Sequence, residues 1–166
     1  MATSQPLSRR VNDRKLYIWA AILTPIIVLA GFARTYYLKG LFGTPDIPSR
    51  LVHLHGLIMT SWVVLFVVQV ALVATKRTKT HQRLGILGSV LALMVFIVGI
   101  LTALFAAARS AVTSTVSGPS PLQFLIVPLG DMVVFAILIG SALYLRRRLA
   151  IHKRLMLLAA INILTP

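Results

Sequence analysis

Hydrophobic residues along this chain fall into five runs divided by short polar stretches. The runs are too long and too evenly apolar to be the one-sided stripes of soluble helices. Four of them cover about residues 16–35, 51–74, 84–108 and 122–145, each longer than the ~18 residues that mark a spanning helix. The fifth covers 152–166, about 22 Å at the helical rise against a hydrocarbon core of ~30 Å. It therefore either enters the bilayer partway or continues past residue 166. The expected fold class is all-α: a polytopic transmembrane helix bundle of four full spans and a partial fifth.

Polar punctuation sets the boundaries. Residues 1–15 read as a basic N-terminal segment outside the bundle of 16–166. Ser8, Arg9 and Arg10 suggest a twin-arginine signal, but Asn12 and Asp13 follow where such a signal needs apolar residues, so the first run reads as a retained span. Pro25 predicts a kink in that span. Tyr17 and Trp19 at one end and Tyr36 and Tyr37 at the other match interfacial aromatic belts. The stretch YYLKGLFGTPDIPSR (36–50) reads as a loop, with Ser49 placed to cap the second span. A basic hairpin is expected over 75–83, and a polar loop over 109–121 that ends in the N-cap pair Ser120-Pro121. Gly88, Ala92 and Gly99 in the third span, and Ala136 and Gly140 in the fourth, form small-residue faces that let helices approach in lipid.

Composition agrees with the pattern. Hydrophobic residues make up 58% and charged residues 12% of the chain, where a soluble domain carries about 25% charge. The net charge of +14 would point to nucleic acid if it were gathered on a soluble face. Here the cations stand at the ends of apolar runs, so no nucleic-acid partner is expected. Of 17 Lys and Arg, only Arg34, Lys39, Arg50 and Arg109 fall on one side of the predicted topology. The positive-inside rule places the other side, with the N-terminus, in the cytoplasm of a multi-pass bacterial inner-membrane protein. Its expected partners are membrane lipids, anionic ones included, and other transmembrane subunits. The absence of cysteine excludes disulfides, iron–sulfur ligation and thiolate metal sites.

Candidate chemistry rests on few residues. His81 and His152 begin the third and fifth runs at matching depth and come from different helices, as axial haem ligands would. Gln82-Arg83 and Lys153-Arg154 follow them and could pair with haem propionates. His53 and His55 open the second span. They point about 200° apart on a helix and converge only on an extended start, whereas His55 and Met59 share a helical face. A Cu(I) site from His53, His55 and Met59 follows from the soft thioether. Asp131 lies inside the fourth span, where an ionised carboxylate needs a partner, and His55 or His53 is the natural one at that depth. Gln69 and Asn162, expected near the inner halves of their spans, are suited to interhelical hydrogen bonds.

The motifs HLHGLIMTSW, THQRLGILG and HKRLML resemble a group of uncharacterised bacterial multispan membrane proteins with the same helix-start patterns. The resemblance covers about residues 50–160. It rests on His53, His55, Gly56, Trp62, Gln69, His81, Gly85, His152 and Leu155. It implies topology, with further spans, rather than an activity. A looser similarity is to cytochrome b561-like haem bundles, from which this chain departs by lacking a second outer histidine partner. No phosphate loop, nucleophile–base pair or carboxylate pair is evident, so an enzyme is not the expectation. The sequence points to a non-catalytic accessory subunit of a larger respiratory or photosynthetic electron-transfer complex, without a cofactor of its own. The alternative is a b-type haem electron carrier using His81 and His152, with His53, His55 and Asp131 as an outer quinone or metal site.

Overall fold

The computed structural model describes residues 7–43, 49–113 and 120–164, and among them every regular element is helical. In chain order these are α1 (Leu7–Phe32), a π-helical turn (Ala33–Tyr37), α2 (Lys39–Phe42), α3 (Arg50–Ala74), α4 (Thr78–Thr113), α5 (Pro121–Tyr144) and α6 (Leu149–Asn162). Among the described residues four helical stretches, Lys15–Tyr37, Arg50–Ala74, Thr78–Ala111 and Leu125–Tyr144, are long and apolar enough to cross a bilayer. The protein is an all-α membrane bundle, with α6 as the short fifth rod.

The helix starts follow local chemistry. Ser49 caps α3 by accepting from the Val52 amide at 3.4 Å. At α5, Ser120 and Gln123 form a reciprocal capping box, with Pro121 at the first helical position. Several expected boundaries move, among them those of the loops expected over 36–50 and 109–121, where Lys39–Phe42 is helical and α4 runs on to Thr113. Helix α1 begins at Leu7, inside the segment expected to be a tail, because no glycine or proline interrupts residues 7–24 and Arg, Lys and Leu are good helix formers. The basic hairpin shrinks from 75–83 to Thr75–Arg77, so His81 lies in the first turn of α4 rather than in a loop.

That tight turn has a definite construction. The Arg77 amide donates to the Leu72 carbonyl at 2.8 Å and the Lys76 amide to that of Val73 at 3.1 Å. This is the Schellman pattern, which needs a left-handed residue after the helix. Lys76 fills it at φ 60°, where glycine is usual and other residues pay roughly 1–2 kcal/mol.

The helices pack as a ring. Helix α3 lies against α4, α4 against α5, and α5 against α6, each pair antiparallel; α1 lies against α3 and, most lightly, against α6. The termini of α1 and α6 and the α3–α4 turn gather at one end, here termed the basic end. Ring packing leaves a centre to be filled, and large side chains fill it. Trp62 of α3 meets Phe135 of α5 edge-to-face, centroids 5.4 Å apart. Val95 of α4 and Ala159 of α6 complete the buried cluster. Trp62 Nε1 is buried without an acceptor among the described residues. A smaller cluster, Ala21, Phe66 and Ala160, seals α1 to α3 and α6.

The small-residue faces divide. At Gly99 a Cβ would fall 2.6 Å from Met132 Sδ of α5, and at Gly88 3.1 Å from Leu65 Cδ2 of α3. Ala92 is buried. The α4 stripe is thus consumed by packing within the chain. Ala136 and Gly140 are exposed on the outside of α5, and nothing lies within 4 Å of a Cβ built at Gly140.

Two outcomes are expected in equilibrium unfolding of the reconstituted protein. Phe135→Ala should cost about 3–5 kcal/mol, the usual range for emptying an aromatic core site. Lys76→Gly should stabilise the chain by up to about 1 kcal/mol, because it relieves the left-handed strain but adds freedom to the unfolded chain.

Candidate functional site

Two imidazoles at the basic end share one arrangement. His81 is the fourth residue of α4 and His152 the fourth of α6, and their amides donate to the carbonyls of Arg77 and Arg148 at 3.1 and 3.0 Å. Both rings are half-buried. Both stand in the first turn of their helices at the basic end. In each ring the Nδ1 atom is already engaged. His152 Nδ1 lies 2.8 Å from the Ala142 carbonyl oxygen on α5. A carbonyl only accepts, so Nδ1 carries the proton and Nε2 keeps its lone pair.

His81 Nδ1 meets the side-chain amide of Gln69 on α3. The neighbours of that amide decide its orientation. The His81 carbonyl, 3.3 Å away, only accepts, and the Gly85 N–H, 3.1 Å away, only donates. The Gln69 nitrogen therefore faces His81 and its oxygen faces Gly85. In that orientation Gln69 joins α3 to α4. Around the pair, Lys79, Arg83, Arg146, Arg147, Arg148 and Arg154 are exposed. Lys153 Nζ sits 5.2 Å over the Tyr17 ring, tying α6 to α1.

The opposite end is organised by the π-helical turn. Its extra residue per turn brings Tyr36 and Tyr37 together, ring centroids 5.3 Å apart, against α3. Tyr36 lies 5.9 Å from the His53 ring and donates to the His53 carbonyl at 3.3 Å. Thr60 donates to the Gly56 carbonyl at 2.6 Å, so the Tyr37 hydroxyl, 2.8 Å away, donates to Thr60. A Cβ on Gly56 would lie 2.6 Å from the Tyr36 ring. The glycine of HLHG therefore admits a tyrosine. The sequence signal for this was the unexplained glycine one turn after His53, beside a Tyr-Tyr pair read only as an interfacial belt.

The helical start at Arg50 places His53 and His55 on opposed faces, and Met59 packs against the central cluster. His55 and Met59 share a face, as expected, but His53 turns towards Tyr36. No cluster of three or more His, Cys, Asp or Glu suited to a metal occurs among the described residues. Asp131 is held by α6 rather than by a histidine: Asn162 Nδ2 donates to the Asp131 main-chain carbonyl at 2.9 Å. Asn162 accordingly lies at the level of Asp131, about 20 Å along α6 from its start, and not near the basic end.

The chain matches no family model, no curated protein and no solved structure.

Because Asn162 grips main chain, Asp131→Asn should leave stability within about 0.5 kcal/mol. Asn162→Leu should cost about 0.6–1.7 kcal/mol, the range for interhelical hydrogen bonds in lipid. Unfolding in mixed micelles distinguishes the two; equal losses would mean that the Asp131 carboxyl, not its carbonyl, is the anchor.

Proposed function

We propose that this chain is a non-catalytic accessory subunit that packs against partner spans in a larger membrane complex. The observation that carries the reading is the outer face of α5. Its Ala136–Gly140 pair is of the kind that brings helices into backbone contact in lipid, yet none of the described residues covers it. The equivalent stripe on α4 is fully used inside the bundle. The other polar side chains are largely tied off internally: Thr60, Ser61, Ser89 and Thr102 each donate to a carbonyl one turn back. Little is left for catalysis, and one small-residue face is left for assembly. The setting proposed is an energy-transducing complex of the bacterial cytoplasmic membrane, respiratory or photosynthetic. There the basic end would face the cytoplasm and anionic headgroups.

A second reading, a b-type haem carrier, is favoured by one specific feature. Ligating histidines typically donate their second ring N–H to a carbonyl or carboxylate, and His152 does so to Ala142. His81 and His152 would hold the haem iron, and Arg83 and Arg154 would supply positive charge for its propionates.

Native gel electrophoresis after gentle solubilisation separates these readings. The wild-type chain should migrate in a complex of defined composition. Gly140→Leu, which has open space for its side chain, should fold normally but leave that complex. A wild-type chain running as a stable monomer without partners would overturn the accessory reading. For the haem reading, a reduced-minus-oxidised spectrum should show a b-type α-band that disappears in His81→Ala and His152→Ala.

A further inference from the structure

Helices α3 and α4 lie side by side, yet an open groove of about 590 Å³ runs between them. Its surface is apolar by construction. Thr60 and Ser61, at its deep end near the middle of α3, turn their hydroxyls back to the Gly56 and Leu57 carbonyls. Gly88 lets Leu65 close against α4, where a Cβ would fall 3.1 Å from Leu65 Cδ2. Exposed Val68 and Leu87, with Leu84, form the walls towards the basic end.

That end of the groove is cationic. Two turns beyond Val68 on the same face of α3 stands Thr75, and one turn before Leu84 on the same face of α4 stands Thr80. The turn that joins the two faces consists of Thr75, Lys76 and Arg77, and both cations are exposed. Neither α3 nor α4 contains an acid to neutralise them. Lys79 and Arg83 are exposed as well, but they lie off this line, about 140° and 100° round the helix from Leu84.

We propose that the α3–α4 groove seats one acyl chain of an anionic phospholipid from the leaflet at the basic end, with the lipid phosphate on Lys76 and Arg77. Charge complementarity selects the headgroup: two cations without a local acid attract a phosphodiester, and the first amides of α4 stand at the same end. Length selects the chain. From Thr60 to Val68 the groove covers about 12 Å of helical rise, close to the ~15 Å hydrocarbon depth of one leaflet. A partner span needs a seam through both leaflets. The walls are also leucine and valine, not the small residues that bring helices together, as Ala136 and Gly140 of α5 do. The proposal is independent of the accessory-subunit reading, which rests on α5.

Native mass spectrometry of the full chain, released from mild detergent with added phosphatidylglycerol and phosphatidylcholine of matched chains, tests it. The wild type should retain one phosphatidylglycerol in preference to phosphatidylcholine. Lys76→Gly combined with Arg77→Gln, which keeps the left-handed turn, should lower that retention about tenfold or more. Lys79→Gln combined with Arg83→Gln removes equal charge from the same surface and should lower it about threefold at most. Val68→Phe, which fills the groove and leaves the cations in place, should also lower retention; Leu87→Trp replaces it if the phenylalanine variant does not fold. Glycerol phosphate, a headgroup without acyl chains, should not displace the lipid. Equal retention of the two lipids overturns the proposal, as do equal losses from the two charge pairs, displacement by glycerol phosphate, or unchanged retention in a folded groove-filled variant. A Val68→Phe chain that keeps its lipid but leaves its complex on a native gel would assign the groove to a partner span instead. Gly140→Leu should leave lipid retention unchanged, so the failure of either reading is visible without the other.

Discussion

The seating of α6 is the constraint on which the rest of the structure depends. Four spans in sequence form an open row, and a row in lipid leaves its inner face exposed along one side. Helix α6 closes it. Ala159 and Ala160 have 0% and 2% of their surface exposed, so the helix is in backbone-close contact with its neighbours. Such contact is how helices hold together where lipid removes most of the hydrophobic drive. Two polar bonds fix its height on α5, from His152 to the Ala142 carbonyl at one end and from Asn162 to the Asp131 carbonyl at the other. Both are made to main chain, so they set register without relying on the rotamer of a partner side chain.

The same register creates the site. Closing the ring sets His152 of α6, anchored on Ala142, at the same end of the bundle as His81 of α4, anchored on Gln69. The Schellman turn at Lys76 contributes from the other side. By ending α3 sharply it lets α4 begin at Thr78 and puts His81 opposite Gln69. Site and fold are thus products of the seating of α6 and the turn at Lys76, while the far end is held separately by the tyrosines of the π-helical turn.

Much of this was legible in the sequence. Apolar runs gave the four long helices, because in lipid hydrophobic length demands helix length. Ser49 and the Ser120-Pro121 pair marked helix starts by capping chemistry alone. Boundaries failed where polar residues are also good helix formers, as in Leu7–Lys15 and Thr78–Arg83: polarity marks the membrane edge, not the helix end. At the site, the equal depth of His81 and His152 was visible, and so was the capacity of Gln69 for an interhelical bond. Their anchoring was not, because Ala142 acts through its carbonyl and any residue would offer one. The pairing of Asp131 with a histidine was the natural inference from side chains, but the bond that forms is to its backbone. Periodicity within one helix also carries no sign of which small-residue face a neighbour will take, which is why the α4 and α5 stripes looked alike.

The seating of α6 is open to direct measurement because the chain has no cysteine of its own. Cysteines placed at Ala21 of α1 and Ala160 of α6, both in one buried cluster, should be joined by a short bis-thiol reagent in intact membranes. A pair at Ala21 and Gly140, on the outside of α5, should not be joined. Efficient joining of the first pair alone is the result predicted for a closed ring. Failure of that pair to join, with both thiols shown to be reactive, would contradict it.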